Sequence, residues 1–205
     1  GGAQAGNYVL SGTTASTTAN ITKKDLTATV TASNKVYDQG TSATISACTL
    51  ATIVGSDDVT CTAGSASFAS ASVGNGKTVT ASGITLGGTA VGNYNLPTTT
   101  ATTTANITAK SVTPSVTATN KVYDRSATAS TTCSLSGVIS GDTVTCSAGS
   151  SSFADANVGD GKTVTGSTIT LGGAAAGNYS LSSTSATTTA NITPVTVTPS
   201  VTGTN

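Results

Sequence analysis

The sequence has no histidine, glutamate, tryptophan or methionine, and only 8% of its 205 residues are charged. Without histidine, neither a Ser-His-Asp nor a Cys-His catalytic arrangement can form within it. The remaining acids are eight aspartates, which could in principle act as paired general acid and base. The adjacent pair Asp57 and Asp58 is replaced in the second copy by Gly141 and Asp142, so we interpret these residues as turn formers. We expect no enzyme activity, no catalytic residues and no cofactor.

Positive charge is equally scarce. Arg125 is the single arginine, and the formal net charge at pH 7 is zero. Because no basic cluster exists, we expect no nucleic-acid partner. No apolar run approaches the roughly 18 residues that span a bilayer, so we expect no membrane insertion in this segment.

Threonine and serine are abundant, with 46 and 28 residues respectively. Residues 26–31 (Leu-Thr-Ala-Thr-Val-Thr) alternate between apolar and polar side chains, as half-buried strands do. Branched side chains suit the pleated surface of a sheet, and glycine and asparagine separate the runs at turn-like spacing. No pattern of helical period is present. The sequence therefore predicts an all-β chain.

The same module is written more than twice. Ala-Asn-Ile-Thr occurs at residues 19–22, 105–108 and 190–193, and Gly-Asn-Tyr occurs at 6–8, 92–94 and 177–179. A fixed period of about 85 residues indicates a tandem array of small domains. We predict the C-terminal strands of a truncated repeat, two full repeats, and the first strand of a following repeat, at residues 1–22, 23–108, 109–193 and 194–205. We expect the chain to be a segment of a longer array, with any export signal or anchor outside it.

Each module reads as an immunoglobulin-like β-sandwich of about seven short strands, with a closed barrel as the alternative. One residue slip is expected within it. Val79 and Ala81 are in phase, whereas Ile84 has the opposite parity, and the second copy repeats the slip between Val164 and Ile169. Because a one-residue slip sends side chains to the other face, a bulge or tight turn is needed near Gly83.

The four cysteines form two equivalent pairs. Cys48 and Cys61 are 13 residues apart, as are Cys133 and Cys146. We predict one disulfide inside each module, across a simple hairpin or between two facing sheets, and hence an oxidising, extracellular setting. Cross-links between modules or chains and free thiols are the alternatives. Zinc would need a Cys-x-x-Cys spacing or added histidine.

Calcium is the metal hypothesis that we considered, and we expect it at most in the second copy. Asp155, Asn157 and Asp160 carry oxygen ligands at a spacing that suits a hard cation. The first copy has Ser70, Ser72 and an asparagine there, without a carboxylate. For that reason we predict no metal site shared by the modules.

The lysine–aspartate pairs, four asparagines and the tyrosines recur in the modules. The recurring lysine–aspartate pairs Lys35/Asp38 and Lys121/Asp124 are expected to be solvated strand-end residues rather than parts of a covalent Lys–Asn cross-link with a residue such as Asn106. Four asparagines head Asn-x-Ser/Thr triplets, and we interpret them as strand and turn residues: Asn20, Asn106, Asn178 and Asn191. The tyrosines are expected to turn their rings inward, with each hydroxyl bonded to backbone: Tyr8, Tyr37, Tyr94, Tyr123 and Tyr179.

These motifs together resemble a known family. Lys-Val-Tyr-Asp at residues 35–38 and 121–124, Val-Gly-x-Gly-Lys-Thr-Val-Thr at 73–80 and 158–165, and the Gly-Asn-Tyr and Ala-Asn-Ile-Thr motifs are similar to the YDG/MBG-type repeats of large secreted bacterial adhesins, including filamentous-haemagglutinin-like proteins. The resemblance implies a bacterial cell-surface or extracellular fibrous protein of stacked β domains, and no catalytic residues. Gln39 and Arg125 replace the glycine of the usual Tyr-Asp-Gly.

The modules join through segments without glycine, at residues 21–26, 107–112 and 192–197. Short linkers of this kind restrict bending, so we predict an elongated rod in which each module adds roughly 40 Å. The leading hypothesis is a structural stalk or fibre of an adhesin or filament whose partners are its neighbouring repeats. The alternatives are modules that bind a host glycan or protein through avidity, and a filament subunit that assembles with other copies by strand exchange.

Overall fold

A computed structural model describes residues 2–203 of the chain. Those residues contain no α-helix, only β-strands and three single-turn 3₁₀ helices, at Ala5–Asn7, Val91–Asn93 and Ala176–Asn178. The all-β prediction is confirmed, and the strands form two consecutive sandwich-like repeats. Across the described part of the chain, no helix has the length and apolar character needed to cross a membrane.

The first module, residues 23–108, is built from ten short strands. They are β1 (Lys24–Asp25), β2 (Thr27–Ala32), β3 (Lys35–Val36), β4 (Ile45–Ala51), β5 (Thr60–Thr62), β6 (Ser65–Phe68), β7 (Gly74–Ser82), β8 (Thr85–Gly87), β9 (Tyr94–Asn95) and β10 (Ala101–Thr108). The larger sheet has the order β3-β10-β7-β6. Opposite it, β1 pairs in parallel with β9, β2 pairs antiparallel with β4, and β5 pairs antiparallel with β8.

The second module, residues 109–193, repeats this arrangement with fewer interruptions. Its strands are β11 (Lys110–Ala118), β12 (Lys121–Val122), β13 (Thr131–Ser136), β14 (Thr145–Phe153), β15 (Gly159–Gly172), β16 (Tyr179–Leu181) and β17 (Ala186–Thr193). The sheets have the orders β13-β11-β16 and β12-β17-β15-β14. Strand β11 corresponds to β1 and β2 together, and the β14–β15 hairpin corresponds to β5 to β8.

The predicted change of side-chain parity is confirmed in the first module, and the second has a left-handed residue at the same place. Between β7 and β8 the chain passes through Gly83 at φ +64°, and in β15 it passes through Thr168 at φ +53°. The backbone N–H of Gly64 donates to both the Ser82 and the Gly83 carbonyls. The hairpin keeps one register on either side, with Thr62 opposite Thr85 and Ser65 opposite Ser82, so the side-chain parity changes at the left-handed residue without an inserted residue. Val79, Ala81 and Ile84 are consequently all buried, at 0, 0 and 1% exposure.

Both modules fill the space between their sheets with small and branched aliphatic side chains. In the first module, Val30, Ala81 and Ile84 form the centre, and Leu26, Val59 and Tyr94 form one end. In the second, the end far from the first module contains Phe153, Val164, Ala190 and Ile192.

Residues 8–23 and 194–203 lie outside the strands. The first of these segments was expected to contribute strands of a truncated repeat, and the second to begin a following one. Ile21 is fully exposed, whereas its equivalents Ile107 and Ile192 are each 1% exposed in β10 and β17. The reason is that a strand needs sheet partners, and these segments have none among the described residues.

Candidate functional site

The most elaborate polar arrangement in the molecule lies where the two modules meet. Strand β10 ends at Thr108 and β11 begins at Lys110, so a single residue connects the last strand of one module to the first of the next. One apolar cluster crosses this boundary. From the first module it takes Tyr37, Phe68, Val79, Ala105 and Ile107, and from the second Val112 and Tyr179. The two modules therefore share a core at the junction.

Asp142 is the centre of the junction. Its Oδ2 accepts a hydrogen bond from the Tyr179 hydroxyl of its own module at 2.6 Å and from the Tyr37 hydroxyl of the first module at 3.0 Å. The two tyrosine rings meet edge to face, with centroids 5.6 Å apart and planes at 75°. This is a favoured geometry for aromatic pairs, because the positive edge of one ring faces the negative face of the other.

Three further hydrogen bonds flank this centre. The Gln39 side-chain amide donates to Asp142 Oδ1 at 2.9 Å and to the Ser140 carbonyl at 3.2 Å. On the other side, the Val73 backbone N–H donates to Asn178 Oδ1 at 3.0 Å. Four hydrogen bonds thus connect residues that are 101 to 105 positions apart in the sequence.

The hydrogen bonds at the junction shift the pKa values of Asp142 and of the two tyrosines. Hydrogen bonds from Tyr179, then from Gln39 and Tyr37, hold the pKa of Asp142 below its usual value, because they stabilise the carboxylate. Burial raises the pKa of Tyr37 and of Tyr179, and the neighbouring Asp142 carboxylate raises both further. The junction is therefore built for an ionised aspartate beside two neutral phenols.

At the outer end of the first module, an aspartate and a tyrosine form the same hydrogen-bonded pair as Asp142 and Tyr179. The Tyr94 hydroxyl donates to Asp57 Oδ2 at 2.7 Å and accepts the Val54 N–H at 3.0 Å, just as Tyr179 donates to Asp142 and accepts the Ile139 N–H. Asp57 is therefore the equivalent of Asp142. The interpretation that matched Asp57 and Asp58 with Gly141 and Asp142 was wrong by one position, and Asp57 and Asp142 do more than form a turn.

The tyrosine prediction holds only in part. Tyr94 and Tyr179 are buried and each accepts a backbone N–H, as expected. Tyr37 is buried as well, but its hydroxyl bonds a carboxylate of the next module. Tyr8 and Tyr123 are 79% and 37% exposed, so for them the prediction was wrong. Among residues 2–203, neither of these two packs against a surface like the one that covers its equivalent.

Both predicted disulfides are present in the structure. Cys48 bonds Cys61 and Cys133 bonds Cys146, with Cα atoms 5.7 and 5.6 Å apart. Cys48 lies on β4, which pairs with β2, whereas Cys61 lies on β5, which pairs with β8. The bridge is therefore not the rung of a simple hairpin, since it joins strands of two separate hydrogen-bonded ladders.

The calcium candidate is occupied by a side chain instead. The Lys162 ammonium lies 2.5 Å from Asp155 Oδ1, and the same oxygen accepts the Asn157 N–H. In the first copy Lys77 contacts Ser70 in the same way. A cation at Asp155, Asn157 and Asp160 would have to displace this ammonium, so the geometry does not support the site. No cluster of three or more potential metal ligands of the His, Cys, Asp or Glu type occurs among residues 2–203.

The recurring lysines close a local loop. Lys35 Nζ contacts Asp38 Oδ1 at 2.6 Å and donates to the carbonyls of Gly40 and Ser42, and Lys121 does the same with Asp124, Ser126 and Thr128. Each ammonium thus has three oxygen acceptors around it. This geometry favours an ion pair over the covalent cross-link.

Three of the asparagines have backbone partners. Asn106 and Asn191 accept the N–H groups of Gly76 and Gly161, beside the register shifts of β10 and β17. Asn178 lies at the junction, as described above. The interpretation of these three as strand and turn residues is confirmed, while Asn20 lies in a segment without strands.

An open groove runs between β2 and the segment that leads into β10. Its volume is about 490 Å³, and it is lined by residues 25–29, 97, 98 and 100–102, half of them threonine. The sheets leave this groove because β2 and β10 lie side by side without pairing.

Sequence reasoning missed the junction altogether. Its members recur in both copies, in Lys-Val-Tyr-Asp, in the Gly-Asn-Tyr motif and in the turn before the second cysteine. Comparing the copies in the correct register would have shown that Asp57 and Asp142 are equivalent. No pattern in the sequence, however, places Tyr37 against Asp142.

One family model matches the chain twice in tandem. The YDG domain covers residues 22–104 and 108–190. No curated protein and no solved structure matches the chain.

Proposed function

The chain belongs to the YDG-domain family, and from this membership we propose that its two modules form part of the stalk or fibre of a bacterial cell-surface or extracellular adhesin or filament. In this role the modules hold a distant binding element away from a surface, and their own partners are the neighbouring repeats.

The observation that carries the proposal is the shared core of the junction. A one-residue connection, an apolar cluster with members from both modules, and the contacts of Asp142 resist bending between the modules. A stalk needs this property, because a flexible chain of domains would collapse toward the surface.

The composition and the cross-links agree with this role. A disulfide in each module stabilises a small core and is typical of proteins in an oxidising environment. A neutral surface with few charges is insensitive to the salt concentration outside a cell.

The test is to label intact, unpermeabilised cells of the producing organism with antibodies against the full chain, followed by immunogold electron microscopy. We expect label along extended surface structures or on shed fibres. Label confined to the cell interior would contradict the proposal. A protein of the periplasm would be labelled only after the outer membrane is opened, which distinguishes it.

A second candidate function is ligand binding by the modules themselves, which the groove beside β2 favours. Its threonine hydroxyls suit a hydroxyl-rich ligand such as a host glycan. Glycan-array binding of the full chain that is saturable, and that Thr29→Val with Thr102→Val abolishes, would support it. A pure stalk would leave the array unlabelled.

A filament subunit that assembles by strand exchange between copies would instead show a mass that increases with protein concentration in analytical sedimentation.

A further inference from the structure

The far end of the second module repeats the surface with which the first module enters the junction. Tyr123, Arg125 and Val158 are the equivalents of Tyr37, Gln39 and Val73. Tyr37 is 6% exposed, whereas Tyr123 is 37% exposed and Val158 is 47% exposed. Tyr37 and Val73 are therefore more covered at the junction than Tyr123 and Val158 are at the far end, whereas Gln39 and Arg125 are both exposed.

The backbone of this far end already has the shape of the docked one. Gln39 and Arg125 both adopt the left-handed conformation, at φ +67° and +66°. This conformation is uncommon for a residue with a side chain, and at the junction it lets the Gln39 amide reach Asp142 and the Ser140 carbonyl. Arg125 holds the conformation without such a partner within the described residues.

We propose that the Tyr123–Arg125 end of the second module is a docking surface for a further YDG module. The aspartate of that module, itself bonded by a tyrosine hydroxyl of the same module, accepts hydrogen bonds from the Tyr123 hydroxyl and the Arg125 guanidinium. The expected aspartate and tyrosine would be arranged as Asp142 and Tyr179 are, and as Asp57 and Tyr94 are. The docking does not depend on whether the array serves as a stalk.

Charge complementarity favours this occupant. The Arg125 fork donates more hydrogen bonds than the Gln39 amide and adds a charge opposite to that of the aspartate. The nearest acid in the sequence, Asp124, is already paired with Lys121 at 2.7 Å. The Arg125 charge is thus left for an acid on the partner.

The chain that leaves this end also indicates a YDG module. Residues 194–203 repeat the sequence pattern of residues 109–118, which include β11. Val112 and Val116 are 1% and 4% exposed in β11, whereas the equivalent Val197 and Val201 are 81% and 97% exposed. The occupant that fits is a YDG module whose first strand is residues 194–203, with these valines in its core.

The first experiment introduces an arginine at the existing junction, at the position equivalent to Arg125, in the full 205-residue chain. Gln39→Arg should leave the junction closed, and Gln39→Glu, which sets two acids together, should open it. In a double-mutant cycle with Asp142→Asn, the arginine–aspartate pair should change the junction opening by about two- to fivefold, and the effect should shrink with added salt.

The readout is nitration of individual tyrosines by tetranitromethane, followed by mass spectrometry. Tyr8 is the exposed reference and Tyr94 the buried one. Nitration of Tyr37 in the Gln39→Arg variant should remain as slow as in the parent chain. A rate equal to that of Tyr123 would mean that an arginine-bearing surface does not fit the acceptor pair, and would overturn the proposal.

The second experiment extends the full chain with residues 121–193 after Asn205, which completes a third module. The tyrosine of the added Lys-Val-Tyr-Asp is changed to phenylalanine, so that the nitrated peptide reports Tyr123 alone. Tyr123 nitration should fall about sixfold, the ratio of 37% to 6% exposure, while Tyr8 nitration stays unchanged. Arg125→Gln should retain most of this protection and Arg125→Glu should remove it. A folded third module, checked by its disulfide and its NMR dispersion, that leaves Tyr123 fully reactive would refute the docking.

Discussion

At the scale of single residues, one carboxylate organises the contact between modules. Asp142 accepts from Tyr37, Gln39 and Tyr179. Bonds to an ionised acceptor are stronger than those between neutral groups, and their directions set the position of each donor. The same aspartate therefore fixes the tyrosine of its own module and captures the tyrosine of the other.

We expect Tyr37→Phe to increase the opening of the junction by roughly three- to tenfold, because the ring stays while its hydrogen bond to Asp142 is lost. Hydrogen exchange of the Val73 amide, which bonds Asn178 across the junction, measures this opening. Tyr123→Phe is the matched control and should leave that exchange unchanged. Equal effects of both substitutions would show that the bond to Asp142 is unimportant.

The pKa values predict that the junction weakens at both pH extremes. The pKa of Asp142 is lowered, so its stabilising contribution is complete above its unfolded value and is lost as pH falls through the lower folded value. The pKa values of Tyr37 and Tyr179 are raised, so their contribution is complete below pH 10 and is lost as pH rises through the folded values.

The opening of the junction as a function of pH is measured from the ring NMR shifts of Tyr37 and Tyr179. Nitration of Tyr37 is unsuitable here, because the nitration rate itself changes with pH. Asp142→Asn should abolish the acid transition at the junction. An acid transition of the same size in that variant would assign it to another carboxylate, such as Asp38 or Asp155, whose pKa values are also lowered.

Gly173 tests the backbone rather than a side chain. It has φ +95°, and an added Cβ would lie 2.5 Å from the Thr143 carbonyl oxygen. We expect Gly173→Ala to lower the free energy of unfolding by about 3 kcal/mol. Gly177→Ala, with nothing within 4 Å, should stay within about 0.5 kcal/mol in the same urea titration. If the two variants are equally stable, the turn at Gly173 relaxes freely.

At the scale of strands, each module has a seam that backbone hydrogen bonds do not close. Strands β4 and β5 belong to different ladders, and β13 and β14 likewise belong to different sheets. The disulfide crosses this seam in both modules. It thus holds together two strands that would otherwise rely on a small core with few aromatic residues.

Removal of the seam disulfide by Cys133→Ala with Cys146→Ala should destabilise the second module by roughly 3 kcal/mol, the loop-closure value for this separation. Urea titration followed by NMR signals of each module measures it. Dithiothreitol should lower the stability of this module in the parent chain and have no effect on it in the double variant. An unchanged unfolding midpoint would mean that the seam holds without the bridge.

At the scale of the whole molecule, the single-residue connection and the shared core join the two modules directly. Tyr37→Ala removes both the ring pair with Tyr179 and the bond to Asp142. We expect this variant to gain interdomain motion, seen as a loss of the common alignment of the two modules in NMR residual dipolar couplings. Tyr123→Ala should keep the common alignment. Modules that already align independently in the parent chain would contradict the rod.

The sequence by itself determined the features that depend on neighbouring residues. Alternation of apolar and polar side chains specified strands, the parity change before Ile84 specified the slip, and equal cysteine spacing in two copies specified the disulfides. These features are local, because the pleat of a strand and the geometry of a turn act over a few residues.

Tertiary structure alone decided which surfaces meet. Tyr37 and Asp142 are 105 residues apart, and only the packing of β11 against the end of the first module brings them together. It also decided that Lys162 occupies the loop proposed for calcium, and that Tyr37 and Tyr123, identical in motif, differ in burial. The physical reason is that the burial of a side chain depends on the surface that packs against it as much as on the residue itself. A local sequence pattern does not specify that surface.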